Sequence, residues 1–450
     1  MHDLETLRSG AYVGQGLTKL KLSCPLAEFP SEILDLADTL EQLDLSGTGL
    51  RCLPAEFGLL KKLKVAFFSN CRFDTFPVEM AACPELEMVA FRANNMSSIP
   101  ENALPAKLRW LILTNNAVQE LPRSIGRCGR LQKCMLAGNQ LRRLPEEMAN
   151  CTNLALLRLS ANELSEVPGW LFSMPRLAFL SVAGNPCCPG LDRGGEGRAN
   201  NLKRVPWRDV SVDSILGEGA SGSIYRGEWV RSHDSTQEVA VKLFKGSVTS
   251  DGTPQDEMAA CVVAGSHPHL IDTLAVIDDH PEREGLLMQL IPPHYSVLGL
   301  PPSLASCTRD NYETGKRLDL WTCVRILRGI ASAACHLHEL DISHGDLYAH
   351  NILVDPTGHA LLGDFGAASF YRGAGQHDFE RLEVLAFGYL VEDMLGIFEV
   401  SDWQDTESLA IDQLRLLREQ CVLPVARSRP VFIDIVQSLT NLDVTVPLAN

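Results

Sequence analysis

Between Leu17 and Asn185 one apolar pattern recurs about every 23 residues, and this period restricts the fold more than any other feature of the chain. It reads Leu-x-x-Leu-x-Leu-x-x-(Asn/Cys/Thr)-x-Leu. Leu40, Leu43, Leu45, Thr48 and Leu50 carry it first in full; Leu63, Ala66, Phe68, Cys71 and Phe73 follow, then Leu86, Val89, Phe91, Asn94 and Met96. Further copies are led by Leu108, Leu131, Leu154 and Leu177, with a weaker one led by Leu17, about eight in all. A copy this short supplies one strand and a return segment, too little to enclose its own leucines. The copies therefore bury their apolar side only by stacking on one another.

The spacing lies inside the range of leucine-rich repeats, which predicts an α/β solenoid over residues 1–188. Return segments carry prolines, as at Leu53-Pro54, Phe76-Pro77, Leu121-Pro122 and Leu144-Pro145. Asn94, Asn116, Asn139, Asn162 and Asn185 fall just after each strand, where a buried amide can satisfy backbone groups of neighbouring turns. Strand side chains alternate between two faces, so the residues between the leucines point the other way. That second face reads Val65 and Phe67, Met88 and Ala90, Trp110 and Ile112, Met135, Leu156 and Phe179. An apolar stripe of this extent is larger than an idle surface carries, so we expect a docking face for a protein partner or for the chain's own second half. Phe67, Met88, Trp110, Ile112, Met135 and Leu156 would make the contacts.

Asn185-Pro186 closes the last copy, and Gly190 to Asn201 has no hydrophobic period, so residues 189–207 read as a linker before a second domain at 208–446. A chain of 450 residues with 45% apolar content has material for two cores. It shows neither the basic start and apolar run of a secretory signal nor a stretch near the roughly 20 apolar residues of a membrane span, so none is expected. The 14 cysteines form no metal-type pairs, and Cys134 stands where a leucine packs; buried free thiols in a reducing, cytoplasmic compartment are expected. The net charge of -16 lies wholly in the second half: residues 1–186 hold 19 basic and 19 acidic residues, the remainder 21 and 37. An acidic half is a poor match for nucleic acid.

In that half, Gly217-Glu218-Gly219-Ala220-Ser221-Gly222 lies between two strand-like runs, and Val239-Ala240-Val241-Lys242 follows. Glycines let a backbone approach phosphate oxygens, and a lysine after a buried strand can hold them. About 100 residues on come His344-Gly345-Asp346, Asn351 and Asp364-Phe365-Gly366. Asp346 suits proton handling, and Asn351 and Asp364 are hard oxygen donors suited to magnesium.

In this order the elements resemble the eukaryotic-type protein kinase family over about residues 208–440. The resemblance implies a bilobal α+β kinase-like domain after the solenoid, in the architecture of soluble leucine-rich-repeat kinases, with ATP and Mg2+ as cofactors. Gly217, Gly219 and Gly222 would cover the phosphates, Ile224 and Ala240 would sandwich the adenine, and Lys242 would hold the α- and β-phosphates. Its partner would be Glu257, with Asp256 the alternative. Met288 would limit pocket depth, and backbone groups from Gln289 to Ile291 would meet the base edge. Asp346 would take or orient the proton of the attacking hydroxyl, and Asn351 and Asp364 would hold the metal. The implied activity is γ-phosphoryl transfer to a protein hydroxyl, serine or threonine rather than tyrosine.

Departures from the family pattern temper this reading. Gly345 replaces the usual Arg, Tyr348 the Lys of serine/threonine-specific members, and Glu383 an Asp of the central helix. His350 would supply part of the missing cationic role. No Ala-Pro-Glu motif follows Asp364. The alternative is a nucleotide-binding scaffold with little or no transfer.

Overall fold

The 23-residue period becomes a ladder of short parallel strands. The computed structural model describes residues 2–188, 203–219, 221–232, 235–246, 248–371, 376–398 and 405–443. Residues 189–202 of the expected linker, Ala220 of the glycine turn and the last three residues of the expected second domain lie outside these. The chain divides into two units: Met1–Leu177 with Asn185–Cys187, and Ala178–Gly184 with Cys188–Asn450.

In the first unit a short helix α1 (Leu4–Arg8), capped by Asp3, precedes β1 (Lys19–Lys21), β2 (Gln42–Asp44), β3 (Val65–Phe67), β4 (Met88–Ala90), β5 (Trp110–Ile112), β6 (Lys133–Met135) and β7 (Leu156–Arg158). Each strand pairs with the next in parallel, Gln42 beside Val65, Val65 beside Met88 and Met88 beside Trp110. The central residue of the strands from β2 to β7, Leu43, Ala66, Val89, Leu111, Cys134 or Leu157, is fully buried. This arrangement is compatible with the expected repeat solenoid.

Return segments form 3₁₀ turns directly after Pro30, Pro54, Pro77, Pro122, Pro145 and Pro168. Proline suits that place because its fixed φ prepares the turn and the first turn leaves N–H groups unused. Phe68, Phe73, Phe76 and Phe91 fill the interior, Phe68 stacking on Phe91 with centroids 5.2 Å apart.

The asparagines bind successive copies together. Asn139 accepts the Val118 N–H at 3.0 Å and donates to the carbonyls of Leu113 and Leu136, both at 2.9 Å. Asn162 does the same with Leu141, Leu136 and Leu159. Where Thr48 and Cys71 replace asparagine, their side chains both donate to the carbonyl of Leu45. Burial pushes the Cys151 thiol up to about 12, with Cys128 close by adding to the shift, which makes it a poor nucleophile.

On the second strand face Val65, Phe67, Trp110, Ile112 and Met135 are partly accessible, whereas Met88, Ala90 and Leu156 are buried. The expected stripe is thus accessible only in part. Lys133 lies over the Trp110 ring at 4.3 Å, so one face of that ring is already used by a cation.

The second unit includes β8 (Phe179–Ser181) within Ala178–Gly184. Its main sheet runs in the order β10 (Val210–Glu218), β11 (Gly222–Ser232), β12 (Ser235–Phe244), β14 (Gly285–Gln289), β13 (Thr273–Asp278) and β9 (Lys203–Pro206). All neighbours are antiparallel except β9, which lies parallel to β13. The linker expected over 189–207 therefore ends earlier, since Lys203–Pro206 is an edge strand. Val205 draws it there by packing with Val210, Trp229, Val239, Ala275 and Ile277.

Helix α2 (Pro254–Ala264) connects β12 to β13. Beyond the sheet come β15 (Ser296–Val297), α3 (Leu320–Glu339), β16 (Ile342–Ser343), β17 (Ile352–Val354), β18 (Ala360–Leu362), β19 (Ser369–Phe370), α4 (Gln376–Ile397), α5 (Asp405–Cys421) and α6 (Phe432–Asp443). Asp319 caps α3 by accepting the Thr322 N–H at 2.9 Å, and the helix buries Val324, Leu327, Ile330, Ala334 and Leu337 along one side. Among the described residues no helix is long and apolar enough to cross a membrane.

Candidate functional site

Lys242 lies on β12 and is buried, with its ammonium bonded to the Glu257 carboxylate and 3.7 Å from Oδ1 of Asp364. Glu257 reaches it from the first turns of α2, whose start is set by Thr253 and Pro254. The alternative acid, Asp256, is occupied otherwise: its N–H and carboxylate both bond the Thr253 hydroxyl, closing the helix cap. Burial works against the Lys242 charge, but Glu257 and Asp364 outweigh it and hold the ammonium protonated above the ordinary lysine range.

The glycine turn joins β10 to β11, with the Gly219 N–H donating to the Gly222 carbonyl at 2.9 Å. A Cβ on Gly222 would meet the Leu243 carbonyl oxygen at 2.6 Å, so this glycine serves the packing of its own sheet. A Cβ on Gly217 or Gly219 would meet nothing within 4 Å, and neither has a positive φ. Among the described residues no neighbouring protein atom requires glycine there. Ile224 pairs with Lys242 and Ala240 with Met288 on adjoining strands. The Gln289 N–H donates to Asp272 O at 2.9 Å, so Gln289 could meet a base edge only through its carbonyl; Ile291 is partly accessible beyond it.

The second group lies on either side of the β17–β18 hairpin. Asn351 stands just before β17 and Asp364 two residues after β18, and the Gly363 N–H donates to the Asn351 carbonyl at 3.0 Å, which brings the two chain ends together. Asn351 Nδ2 donates to Asp346 Oδ2 at 2.9 Å and to the Asp346 carbonyl at 3.0 Å, bonds that use the amide nitrogen and not Oδ1. Asp364 has φ 56° and accepts the Gly366 N–H at 3.3 Å; its side chain is 49% exposed. Desolvation raises this carboxyl, but Lys242 and the Gly366 N–H outweigh it and hold it below the usual range.

Among the described residues no three His, Cys, Asp or Glu side chains gather as a metal cage. One carboxylate and one amide oxygen fit magnesium, which takes most of its ligands from water and phosphate. These two residues would hold it.

The backbone leading into Asp346 is held by a buried carboxylate. Glu383 on α4 is buried; its Oε1 accepts the Gly345 N–H at 2.7 Å and its Oε2 the His344 N–H at 3.2 Å, with His338 Nε2 at 2.7 Å from Oε2. Burial raises the Glu383 carboxyl, but the hydrogen bond and charge of His338, with His344 and the Gly345 N–H, hold it below the usual range. Gly345 has φ +71°, and a Cβ there would come within 2.6 Å of the Ala367 carbonyl and 2.8 Å of that of Leu180. The usual Arg is thus sterically barred. Phe179, which the alternation of strand residues placed on a docking face, instead stacks on Tyr348, with centroids 3.9 Å apart and planes at 9°. Its ring is 1% exposed and unavailable to a partner.

His350 Nδ1 lies 2.6 Å from Asp310 Oδ1. Desolvation disfavours its charge, but the hydrogen bond and charge of Asp310, with Asp346 and Asp364, raise its pKa. Asp310 also accepts the Ala349 N–H. Sequence reasoning missed Asp310 because Thr308-Arg309-Asp310-Asn311 lies in a loop with no period and no motif.

Residues 210–384 match the family model described as protein tyrosine and serine/threonine kinase. Receptor tyrosine-protein kinase erbB-4 of Homo sapiens is 30% identical over 178 residues, 39% of this chain and 12% of the receptor. Activin receptor type-1 of Gallus gallus is 27% identical over 182 residues, 39% of this chain and 33% of that receptor. The chain thus spans a third or less of the length of these curated relatives. The second unit contains a protein kinase domain.

Proposed function

We propose that this protein transfers the γ-phosphoryl group of ATP to a protein hydroxyl, with serine or threonine as the expected acceptor, and that its first unit is a leucine-rich-repeat solenoid that recruits protein partners. The observation that carries the catalytic reading is the spacing of charge: a buried Lys242–Glu257 pair next to Asp364, and Asp364 joined through Gly363 to the Asn351–Asp346 pair.

Lys242 holds phosphate oxygens, and Glu257 keeps its ammonium in place. Asn351 and Asp364 would hold magnesium, which when bound would offset charge on the phosphates. Asp346 orients the acceptor hydroxyl and receives its proton as the oxygen bonds to the γ-phosphorus and the bond to the β-phosphate oxygen breaks, releasing ADP. His350 adds positive charge beside Asp346. The Phe179–Tyr348 stack favours a second reading, a nucleotide-binding scaffold with little transfer, because it fills space beside the catalytic loop.

The experiment is transfer from labelled ATP to the chain itself and to a generic protein, with and without EDTA, followed by phosphoamino-acid analysis. Magnesium-dependent label on serine or threonine is expected. Tight ATP binding with no label on any acceptor would establish the scaffold reading instead.

The apolar residues accessible on the strand face support the recruiting role, and the free thiols together with the kinase reading support a cytoplasmic setting. Replacing both Phe67 and Ile112 with Ser is expected to lower capture of a bound protein at least about 10-fold while the melting temperature stays close to wild type, since partly exposed positions contribute little to folding. Unaltered capture by a well-folded double variant would remove this face from consideration.

A further inference from the structure

We propose that Asp310, outside every motif of the chain, is a positioning residue for the transfer step, clamping the catalytic loop and directing His350 toward the reacting phosphate; this rests on the kinase reading above. Asp310 is delivered by the segment between β15 and α3. That segment lies along the catalytic loop: the Leu298 N–H donates to the Ile352 carbonyl at 2.9 Å and the Gly299 N–H to the Ala349 carbonyl at 3.2 Å. A Cβ on Gly299 would come within 2.8 Å of that of Ala349, so the two backbones approach as closely as they can. Leu300 and Asn311 then pair in both directions, at 2.7 and 2.9 Å, which returns Asp310 to the loop. The neighbouring Arg309 anchors this return to α4 through Asp393 and Glu392.

The Asp310 side chain is only 4% exposed, and its two oxygens are divided between two loop groups: Oδ2 takes the Ala349 N–H and Oδ1 faces His350 Nδ1 at 2.6 Å. A buried carboxylate is costly unless both oxygens are satisfied, so this arrangement is strongly specified. With Nδ1 bound from behind, Nε2 is the nitrogen that His350 offers to the cleft. The ring is 22% exposed. Asp310 therefore acts on the reaction through His350, as an orienting carboxylate acts on a histidine elsewhere.

The test is a double-mutant cycle on kcat with Asp310→Ala, His350→Gln and the pair, in the full chain. Asp310→Ala is expected to lower kcat about 10–100-fold with KM for ATP nearly unchanged, because outer partners of functional histidines have effects of this size. In the His350→Gln background the same change should cost clearly less, since the part of its effect that passes through the ring is already lost and only the bond to the Ala349 N–H remains. If Asp310→Ala proves unfolded, Asp310→Asn, which keeps an acceptor oxygen, takes its place in the cycle. An equal loss in both backgrounds, or a loss seen in KM alone, overturns the assignment while leaving the kinase reading intact. Absence of transfer by the wild type overturns the kinase reading, and this assignment with it.

Discussion

Asp346→Asn should reduce phosphoryl transfer by about 10²–10⁴-fold, the range measured when a positioned proton acceptor is lost. The replacement has the same shape, so its effect isolates chemistry from packing. In the native loop Asp346 Oδ2 accepts from Asn351 Nδ2, and its own N–H faces His344 Nδ1 at 3.3 Å. An asparagine can keep the bond to Asn351 only by presenting its oxygen there, which turns its NH2 toward the place where the hydroxyl proton must go. Nucleotide affinity should be nearly unchanged, because Lys242, Asn351 and Asp364 are untouched. The measurement is initial rate of label transfer beside ATP binding by calorimetry. If transfer stays within about threefold of wild type, less than 1 kcal/mol of barrier, Asp346 is not the group that handles the proton.

Glu383→Leu is expected to cost about 3–5 kcal/mol of stability, as breaking a buried charged network from one side does. Leucine fills a similar volume, yet it leaves the His344 and Gly345 N–H groups and His338 without their carboxylate. Glu383→Gln keeps one acceptor oxygen and should cost less. The midpoint of urea unfolding, compared at equal slope, reads both. The same site predicts a pH dependence. The Glu383 carboxyl is held below its ordinary value of 4.5 in the folded chain, so its stabilisation is complete above that value and disappears as pH falls through the lower folded one. Wild type should accordingly lose stability more steeply than Glu383→Gln below about pH 4.5. Parallel acid profiles would contradict the assignment.

Much of this protein is legible in the linear order of its residues. The leucine period specifies stacked strands because a copy has no other way to bury its apolar side, and the asparagines after each strand form the ladder of amide bonds that their position implies. The places of Lys242, Asp346, Asn351 and Asp364 are equally legible, since a strand, a loop and a hairpin of definite lengths carry them. Asp256 and Glu257 were harder to separate. Both are acids in the first turns of α2, and only the cap bond to Thr253 removes Asp256 from the choice.

Other features depended on contacts between distant segments. The strand at the end of the expected linker is not legible, because Lys203-Arg204-Val205-Pro206 has no partner in its own neighbourhood; β13, about 70 residues away, makes it a strand. Phe179 follows the alternation that points it outward, but its ring belongs to the second unit and stacks on Tyr348. That Gly345 replaces the usual Arg is legible in the sequence, but its positive φ and the nearby Ala367 carbonyl, which leave no space for a side chain, are not.

By itself, then, the sequence determined the repeat period, the place of the glycine turn between two strands and the order of the charged residues that resembles a protein kinase, because each is encoded by spacing along a single segment. The tertiary structure alone decided which acid meets Lys242, that Glu383 holds the backbone of His344 and Gly345, and that Asp310 reaches His350 from 40 residues upstream. These depend on how buried charges and N–H groups find partners once water is excluded, and that pairing exists only after the chain has folded.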